Sequence, residues 1–177
     1  MANIVFIATS IDGYIADKEG GLDWLHSVPN PDNIDMGFAP LMDRVDALVM
    51  GRNTLETVLS FDVDWPYSKP VFVLSNTMKE VPNGYQDKVF LVQGDLTEVV
   101  ADLNSKGYQD LYIDGGVTIQ NFLKQELVDE LTITTIPVLL GGGIKLFGEL
   151  EQMQSYQLVE SKVYLETIVQ NHFKRMG

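Results

Sequence analysis

The chain has 177 residues, of which 45% are hydrophobic and 21% are charged, and these globular averages exclude a disordered protein. The length predicts one domain over residues 1–177. The net charge of −13 argues against nucleic acid or an anionic membrane as a partner, and the absence of cysteine excludes disulfides and thiolate metal sites.

The first half of the chain predicts strands that alternate with helices. The chain enters an apolar strand at 4–8 with no basic segment before it, which argues against a signal peptide and predicts a cytoplasmic protein. No apolar run approaches the roughly 18 residues of a membrane span. A glycine-containing loop follows at 10–16, and a helical pattern covers about 34–44. The next predicted elements are a strand at 47–50, a helix at 54–59, and strands at 71–74 and 89–92.

The second half continues this alternation and then changes its period. It predicts an amphipathic helix at 95–106 that ends at Gly107, a strand at 108–114 and a helix at 117–126. The last predicted elements are a strand at 131–138, a glycine loop at 141–143, and a hairpin of strands at 156–163 and 166–173. We therefore predict an α/β fold whose mixed sheet ends in antiparallel strands.

Two of the predicted strands run into a glycine turn that opens a helix. One leads into Gly51 and Arg52, and the other leads into Gly115 and Gly116. Such turns leave backbone N–H groups unpaired at a helix N-terminus, where the helix dipole favours an anion. Arg52 adds a planar donor fork for a phosphate. The pair of turns indicates a dinucleotide-binding enzyme, whereas either turn alone is explained equally well as the end of a strand.

Four motifs together resemble the dihydrofolate reductase superfamily, most closely the branch with the reductase domain of riboflavin biosynthesis. They are SIDGYIA at 10–16, DALVMGRNT at 46–54, YIDGG at 112–116 and PVLLGGG at 137–143. The resemblance implies a three-layer dihydrofolate reductase-like fold, NADPH as cofactor, and hydride transfer to a C=N or related bond of a small-molecule substrate. Relatives are commonly dimers, so the resemblance implies a homodimer, and the edge of the terminal hairpin is the expected contact.

The resemblance also implies a set of cofactor contacts. The first glycine turn would hold the adenosine and pyrophosphate, and the second would cradle the pyrophosphate. The end of the third strand would flank the 2′-phosphate, while one residue of the first strand and one of a mobile lid loop would lie against the nicotinamide. The first turn contributes Gly51, Arg52 and Thr54, and the second contributes Gly115, Gly116, Val117 and Thr118. Ser75 and Asn76 lie at the end of the third strand, Ala8 in the first strand and Ile15 in the lid loop.

Hydride addition to a C=N bond requires a proton for the nitrogen, so the site needs an acid near the substrate. Asp35 is the candidate, because it begins the predicted helix at about the place where dihydrofolate reductases carry their catalytic acid. A carboxylate at a helix start also serves as a cap, so both interpretations stay open. Thr134 occupies the strand position from which the family contacts the substrate or its acid, unless it simply belongs to a polar strand face.

Two alternatives remain open. One is a non-catalytic protein that binds a nicotinamide nucleotide, and the other is a true dihydrofolate reductase. Residues 65–70 contain Lys69 but no arginine, although a true dihydrofolate reductase grips the folate tail with an arginine ahead of the third strand. We predict no metal site, because His26 and His172 have no partners at the required spacing.

Overall fold

The computed structural model describes residues 1–177, which form ten strands and four α-helices. A short 3₁₀ helix lies at Asp23–His26. The strands and helices are β1 (Ala2–Ser10), β2 (Tyr14–Ala16), α1 (Phe38–Arg44), β3 (Ala47–Gly51), α2 (Arg52–Ser60), β4 (Val71–Leu74), β5 (Val89–Val92), α3 (Leu96–Ser105), β6 (Asp110–Asp114), α4 (Gly116–Lys124), β7 (Glu130–Ile136), β8 (Ile144–Lys145), β9 (Tyr156–Tyr164) and β10 (Ile168–Arg175). None of the helices has the length and hydropathy that a membrane crossing requires.

Eight of the strands form one mixed sheet in the order β5-β4-β3-β6-β1-β7-β10-β9. The first six strands of this order, β5, β4, β3, β6, β1 and β7, run parallel to one another. Strand β10 runs antiparallel to β7, and β9 runs antiparallel to β10. The remaining two strands, β2 and β8, pair with each other. The prediction of an α/β fold with a mixed sheet that ends in antiparallel strands is therefore confirmed.

Strand β3 shows how helices cover both faces of the sheet. Leu48 lies in one buried cluster together with Leu55 of α2. The next residue, Val49, lies in a second cluster together with Leu103 of α3 and Phe122 of α4. Because successive side chains of a strand point to opposite faces, the sheet is buried between two helical layers. A strand buried on both faces needs a nearly continuous apolar run, which the central strands have.

One edge of the sheet collects the ends of several strands. Since β3, β4, β5 and β6 are parallel, their carboxyl ends lie at the same edge. Helices α2, α3 and α4 begin within a few residues of the ends of β3, β5 and β6. Three helix N-termini therefore meet at this edge, where open α/β sheets usually bind ligands.

A charged network lies at the other end of the strands. Glu130, the first residue of β7, accepts two hydrogen bonds from Arg44, both at 2.8 Å, and lies 2.9 Å from Nε2 of His172. The bonds from Arg44 are the main reason why the pKa of Glu130 falls to about 2. The buried carboxylate thus ties α1 and β10 to β7, away from the glycine turns.

Two local features differ from the sequence prediction. Helix α1 begins at Phe38 and not near residue 34, because Gly37 has a φ of 104° and Asn33 has a φ of 48°, which no right-handed helix contains. Strand β2 lies within a segment predicted to be a loop, and it is held by pairing with β8. The terminal hairpin turns near the predicted bend, with positive φ at Leu165 and Glu166.

Candidate functional site

The two glycine turns lie side by side at the carboxyl edge of the parallel strands, because β3 and β6 are neighbours. A side chain at Gly115 would collide with Oγ1 of Thr54, and a Cβ at Gly51 would lie 3.1 Å from Oγ1 of Thr118. Each turn therefore contacts the helix that the other turn opens. Gly115 also has a φ of 95°, a conformation that L side chains rarely adopt.

Helices α2 and α4 begin without a side-chain cap. Their N-cap residues are Gly51 and Gly115, and neither first turn contains an acidic residue. Helix α3 differs, because Oδ1 of its N-cap Asp95 accepts a hydrogen bond from the Thr97 N–H at 2.9 Å. The first-turn N–H groups of α2 and α4 thus remain available beside the positive ends of their dipoles. The edge offers two adjacent anion sites, while the start of α3 already holds a carboxylate.

A cavity of about 1000 Å³ opens over these helix starts. Every residue that the sequence assigned to the cofactor lines it, so the predicted contacts from β1, β2, α2, the end of β4 and α4 are brought to one cleft. They are Ala8, Ile15, Gly51, Arg52, Thr54, Ser75, Asn76, Gly115, Gly116, Val117 and Thr118.

Arg52 lies at the rim of this cavity, with 46% of its side chain exposed. Its Nε donates to Oε1 of Glu56 at 2.8 Å, and one terminal nitrogen donates to Oγ1 of Thr77 at 3.3 Å. The Ser75 hydroxyl accepts a hydrogen bond from the Met78 N–H at 2.9 Å and so orders the same turn. The guanidinium is therefore positioned beside the end of β4 and keeps donors free for a ligand.

Sequence reasoning missed part of the cavity wall, namely Gln93, Gly94, Asp95 and Lys124. A signal existed for the first three, because the carboxyl ends of parallel strands meet at one edge and these residues follow β5. No local sequence pattern could have placed Lys124 in the wall, because its position depends on how the end of α4 lies against the start of α3.

The loop that carries Ile15 is tied to the glycine loop that precedes β8. Asp12 accepts hydrogen bonds from the Ser10 hydroxyl at 2.6 Å, the Leu140 N–H at 3.1 Å and the Gly141 N–H at 2.8 Å. These bonds, the one from Ser10 above all, lower the pKa of Asp12 to about 2. The ionised carboxylate thus bridges the two loops beside the cavity.

A second cavity, of about 380 Å³, opens off the first. The two cavities share Ile7, Ala8, Leu25 and Asp114. Thr134, which the sequence predicts to contact the substrate or its acid, lines the smaller cavity, and its Oγ1 accepts a hydrogen bond from Nε2 of Gln170 at 2.9 Å. The wall is otherwise mainly apolar, which is the usual character of a site for a small organic molecule.

Asp114 is the one acidic residue that lines both cavities. Its Oδ1 accepts a hydrogen bond from the Gly115 N–H at 2.9 Å. Burial raises the pKa of Asp114 to about 6 against the effect of this bond. Burial and the nearby Asp114 charge also raise the pKa values of Tyr67 and Tyr112. The border between the cavities therefore holds a carboxyl group whose pKa is raised toward neutral pH.

Asp35, the predicted proton donor, lies outside both cavities. It is exposed, and its Oδ2 accepts a hydrogen bond from the Ala39 N–H at 3.1 Å, as a cap of α1 does. The structure thus does not bring Asp35 to the cleft that holds Asp114 and Thr134.

The sheet order, the covering helices and the cleft over two glycine turns define a dihydrofolate reductase-like α/β protein. The fold matches dihydrofolate reductase from Enterococcus faecalis, solved with NADP(H), at a TM-score of 0.65 and 18% identity, covering 98% of this chain and 96% of that one. Residues 3–170 match the RibD C-terminal domain, and the chain belongs to this family.

Two further structures resemble the chain. A crystal structure from Shewanella sp. PV-4, of a protein provisionally named for riboflavin biosynthesis, is 68% identical with a TM-score of 0.99, and each chain is covered fully. The Thermotoga maritima diaminohydroxyphosphoribosylaminopyrimidine deaminase/5-amino-6-(5-phosphoribosylamino)uracil reductase matches at a TM-score of 0.72 and 12% identity, over 99% of this chain and 56% of that one. The second likeness concerns the fold alone.

Proposed function

We propose that this protein is an NADPH-dependent oxidoreductase that reduces a small pterin-, pyrimidine- or ribosylamine-like substrate by hydride transfer. One observation carries the proposal: the uncapped starts of α2 and α4 adjoin in one cleft, with Arg52 at its rim. Membership of a reductase-domain family supports it. In this proposal residues 1–177 work as one domain in the cytoplasm.

The larger cavity supplies what a phosphorylated dinucleotide requires. The free N–H groups beside Gly51 and Gly115 would bind the pyrophosphate, because both helix dipoles are positive there. Arg52 and the hydroxyl of Ser75 would hold the 2′-phosphate at the end of β4. Ile15 would lie against the nicotinamide, since it contacts the second turn at Gly116.

The smaller cavity would hold the substrate beside the nicotinamide. NADPH, when bound, supplies the hydride for the reduction. Asp114 faces both cavities, so its carboxyl group is placed to hold the proton that the reduced nitrogen needs. Thr134 would orient the substrate through an oxygen that Gln170 already fixes. We propose Asp114 as the proton donor, and Asp35, the sequence-based candidate, is tested beside it.

The experiment is titration of the protein with NADPH and with NADH. Arg52→Ala should weaken NADPH binding by about 10- to 100-fold and NADH binding by less than about 3-fold, because a charged hydrogen bond to the 2′-phosphate is lost. Lys162→Ala is a matched control, since it removes one positive charge from exposed β9. Equal losses for both nucleotides would remove the 2′-phosphate contact, and no binding of either would refute the proposed function.

One observation favours a non-catalytic alternative, a protein that only binds the nucleotide: the predicted acid Asp35 lies outside the cleft. The two functions differ in turnover. NADPH oxidation in the presence of pterin, pyrimidine or ribosylamine compounds supports the reductase. Tight NADPH binding without oxidation by any of them supports the alternative.

We also propose a homodimer formed through the edge strand β9. This strand pairs only with β10, and Leu158, Val159 and Val163 are 52%, 52% and 63% exposed. An open strand edge is a template for pairing with another chain, and exposed apolar side chains favour such a contact. Sedimentation should show a dimer at micromolar concentration, and Val163→Glu should shift it to a monomer. A monomeric wild type would refute this part.

A further inference from the structure

The smaller cavity has an acidic side chain and no permanently charged cation in its wall. Its polar side chains include one carboxyl group, that of Asp114, and its wall contains no lysine or arginine. The chain has 12 lysines and arginines, and two of them, Arg52 and Lys124, line the larger cavity. Positive charge is therefore available to the nucleotide but not to a ligand of the smaller cavity.

Arg44 and Arg175 lie at the opposite end of β7, around its first residue Glu130, and both are paired with carboxylates. Arg44 binds Glu130 with both terminal nitrogens at 2.8 Å, and Arg175 binds the Glu126 carboxylate at 2.9 Å. Such buried or half-buried pairs leave little net positive charge for a third group. His26 is the one basic residue of the wall.

Negative charge also flanks the cavity where α1 begins. Met36 and Phe38 line the cavity on either side of the helix start. Asp35, next to Met36, places its carboxylate on the Ala39 N–H. The backbone donor that an anionic ligand would seek there is thus occupied by an acid, which repels a phosphate.

We infer that the smaller cavity takes an unphosphorylated, uncharged aza-heterocycle with N–H donors directed at Asp114, a refinement that rests on the proposed reductase function. Asp114 is the acceptor, because its Oδ1 has one protein donor, the Gly115 N–H, and the rest of the carboxyl group faces the cavities. A volume of about 380 Å³ suits a one- or two-ring compound with a short polar substituent. The inferred ligand carries no phosphate, unlike the phosphoribosyl compound for which the Thermotoga maritima reductase is named.

The test uses a pair of compounds that differ only in a phosphate: 5-amino-6-(ribosylamino)uracil and its 5′-phosphate. Binding is measured by calorimetry at pH 8 with the protein saturated by NADP⁺, so that no turnover occurs. The riboside should bind at least about 10-fold more tightly than its phosphate, because the phosphate would lose hydration without gaining a cation.

A gain-of-charge variant sharpens the test. Val28 lines the cavity, and Val28→Lys should raise the affinity for the phosphate by at least about 10-fold, because it supplies the missing counter-charge. Val28→Met introduces a side chain of similar length without charge and should not raise that affinity. A gain in both variants would assign the effect to shape and overturn the inference.

The remaining outcomes are also decisive. Tighter binding of the phosphate by the wild type overturns the inference, and so does binding of neither compound to a protein that binds NADP⁺ normally. Both results leave the proposed nucleotide site standing. Failure to bind NADP⁺ in the first step refutes the proposed function itself and is recorded before the compounds are added.

Discussion

Replacing Asp114 by Asn should remove catalysis and stabilise the fold at the same time. The pKa of Asp114 lies at about 6 in the folded protein, against 3.8 for an unperturbed carboxyl group. The folded state therefore binds the proton more tightly, and the free energy of unfolding falls as pH rises from about 4 through 6. Integration gives a penalty of about 0.5 kcal/mol at pH 4 and about 3 kcal/mol at pH 8.

The variant keeps the shape and the hydrogen bond of the site, because an amide oxygen also accepts from the Gly115 N–H. Solvent screens part of this penalty. We therefore expect Asp114→Asn to raise the free energy of unfolding by about 1–3 kcal/mol at pH 8 and by almost nothing at pH 4. For a chain of this length such a gain raises Tm by roughly 2–12 °C. The measurement is thermal unfolding of the wild type and the variant at both pH values.

The same variant should lower kcat by about 100- to 10,000-fold while NADPH binding changes by less than about 3-fold, because a proton donor is lost while the glycine turns and Arg52 proposed to hold the phosphates stay unchanged. Asp35→Asn is the matched control: it removes a cap, should not raise Tm, and should keep most activity. An equal effect of Asp114→Asn on Tm at pH 4 and pH 8 would refute the burial argument. Full activity would refute the assigned proton donor, and loss of activity in Asp35→Asn alone would restore the sequence-based candidate.

Three further substitutions test other parts of the structure. Gly115→Ala should cost about 2–4 kcal/mol and weaken NADPH, since its Cβ meets Thr54 at a φ of 95°; circular dichroism melts measure this. Asp12→Asn should speed amide hydrogen exchange at residues 140 and 141, because their acceptor is weakened. Glu130→Gln should lower the free energy of unfolding by about 2–4 kcal/mol at pH 7, because it removes the charge that pairs with Arg44. This difference from the wild type should disappear as pH falls from 4.5 to about 2, and urea unfolding at several pH values measures it.

The meeting of the two glycine turns in the candidate site was predictable because its signals are local. A buried strand followed by glycine and an uncapped helix can be identified in a few residues, and Gly51 and Gly115 have that pattern. Their meeting in one cleft follows from a single fact about topology, namely that β3 and β6 are parallel neighbours. The order of the strands was not in the sequence pattern, but the alternation of strands and helices predicts parallel strands whose carboxyl ends share an edge.

The position of Asp114, the proposed proton donor, was harder to predict because it depends on long-range packing. Asp35 was favoured for its position before a helix, yet the positive φ of Gly37 delays the helix and leaves the carboxylate at an exposed cap. Asp114 has the same strand parity as Tyr112, and both line the smaller cavity. Parity alone could have placed these two side chains together, but it could not show which face of β6 borders a cavity.

Under the proposed function, the charges of the two cavities also favour one orientation of the nucleotide across them. A dinucleotide carries its negative charges on the pyrophosphate and 2′-phosphate, which fit the helix starts and Arg52 of the larger cavity. The same phosphates are unfavourable in the smaller cavity, whose charged wall residue is Asp114. The uncharged reduced nicotinamide is therefore the part that can approach the border. In a chain with a net charge of −13, the orientation of an anionic cofactor follows from where the few local cations lie.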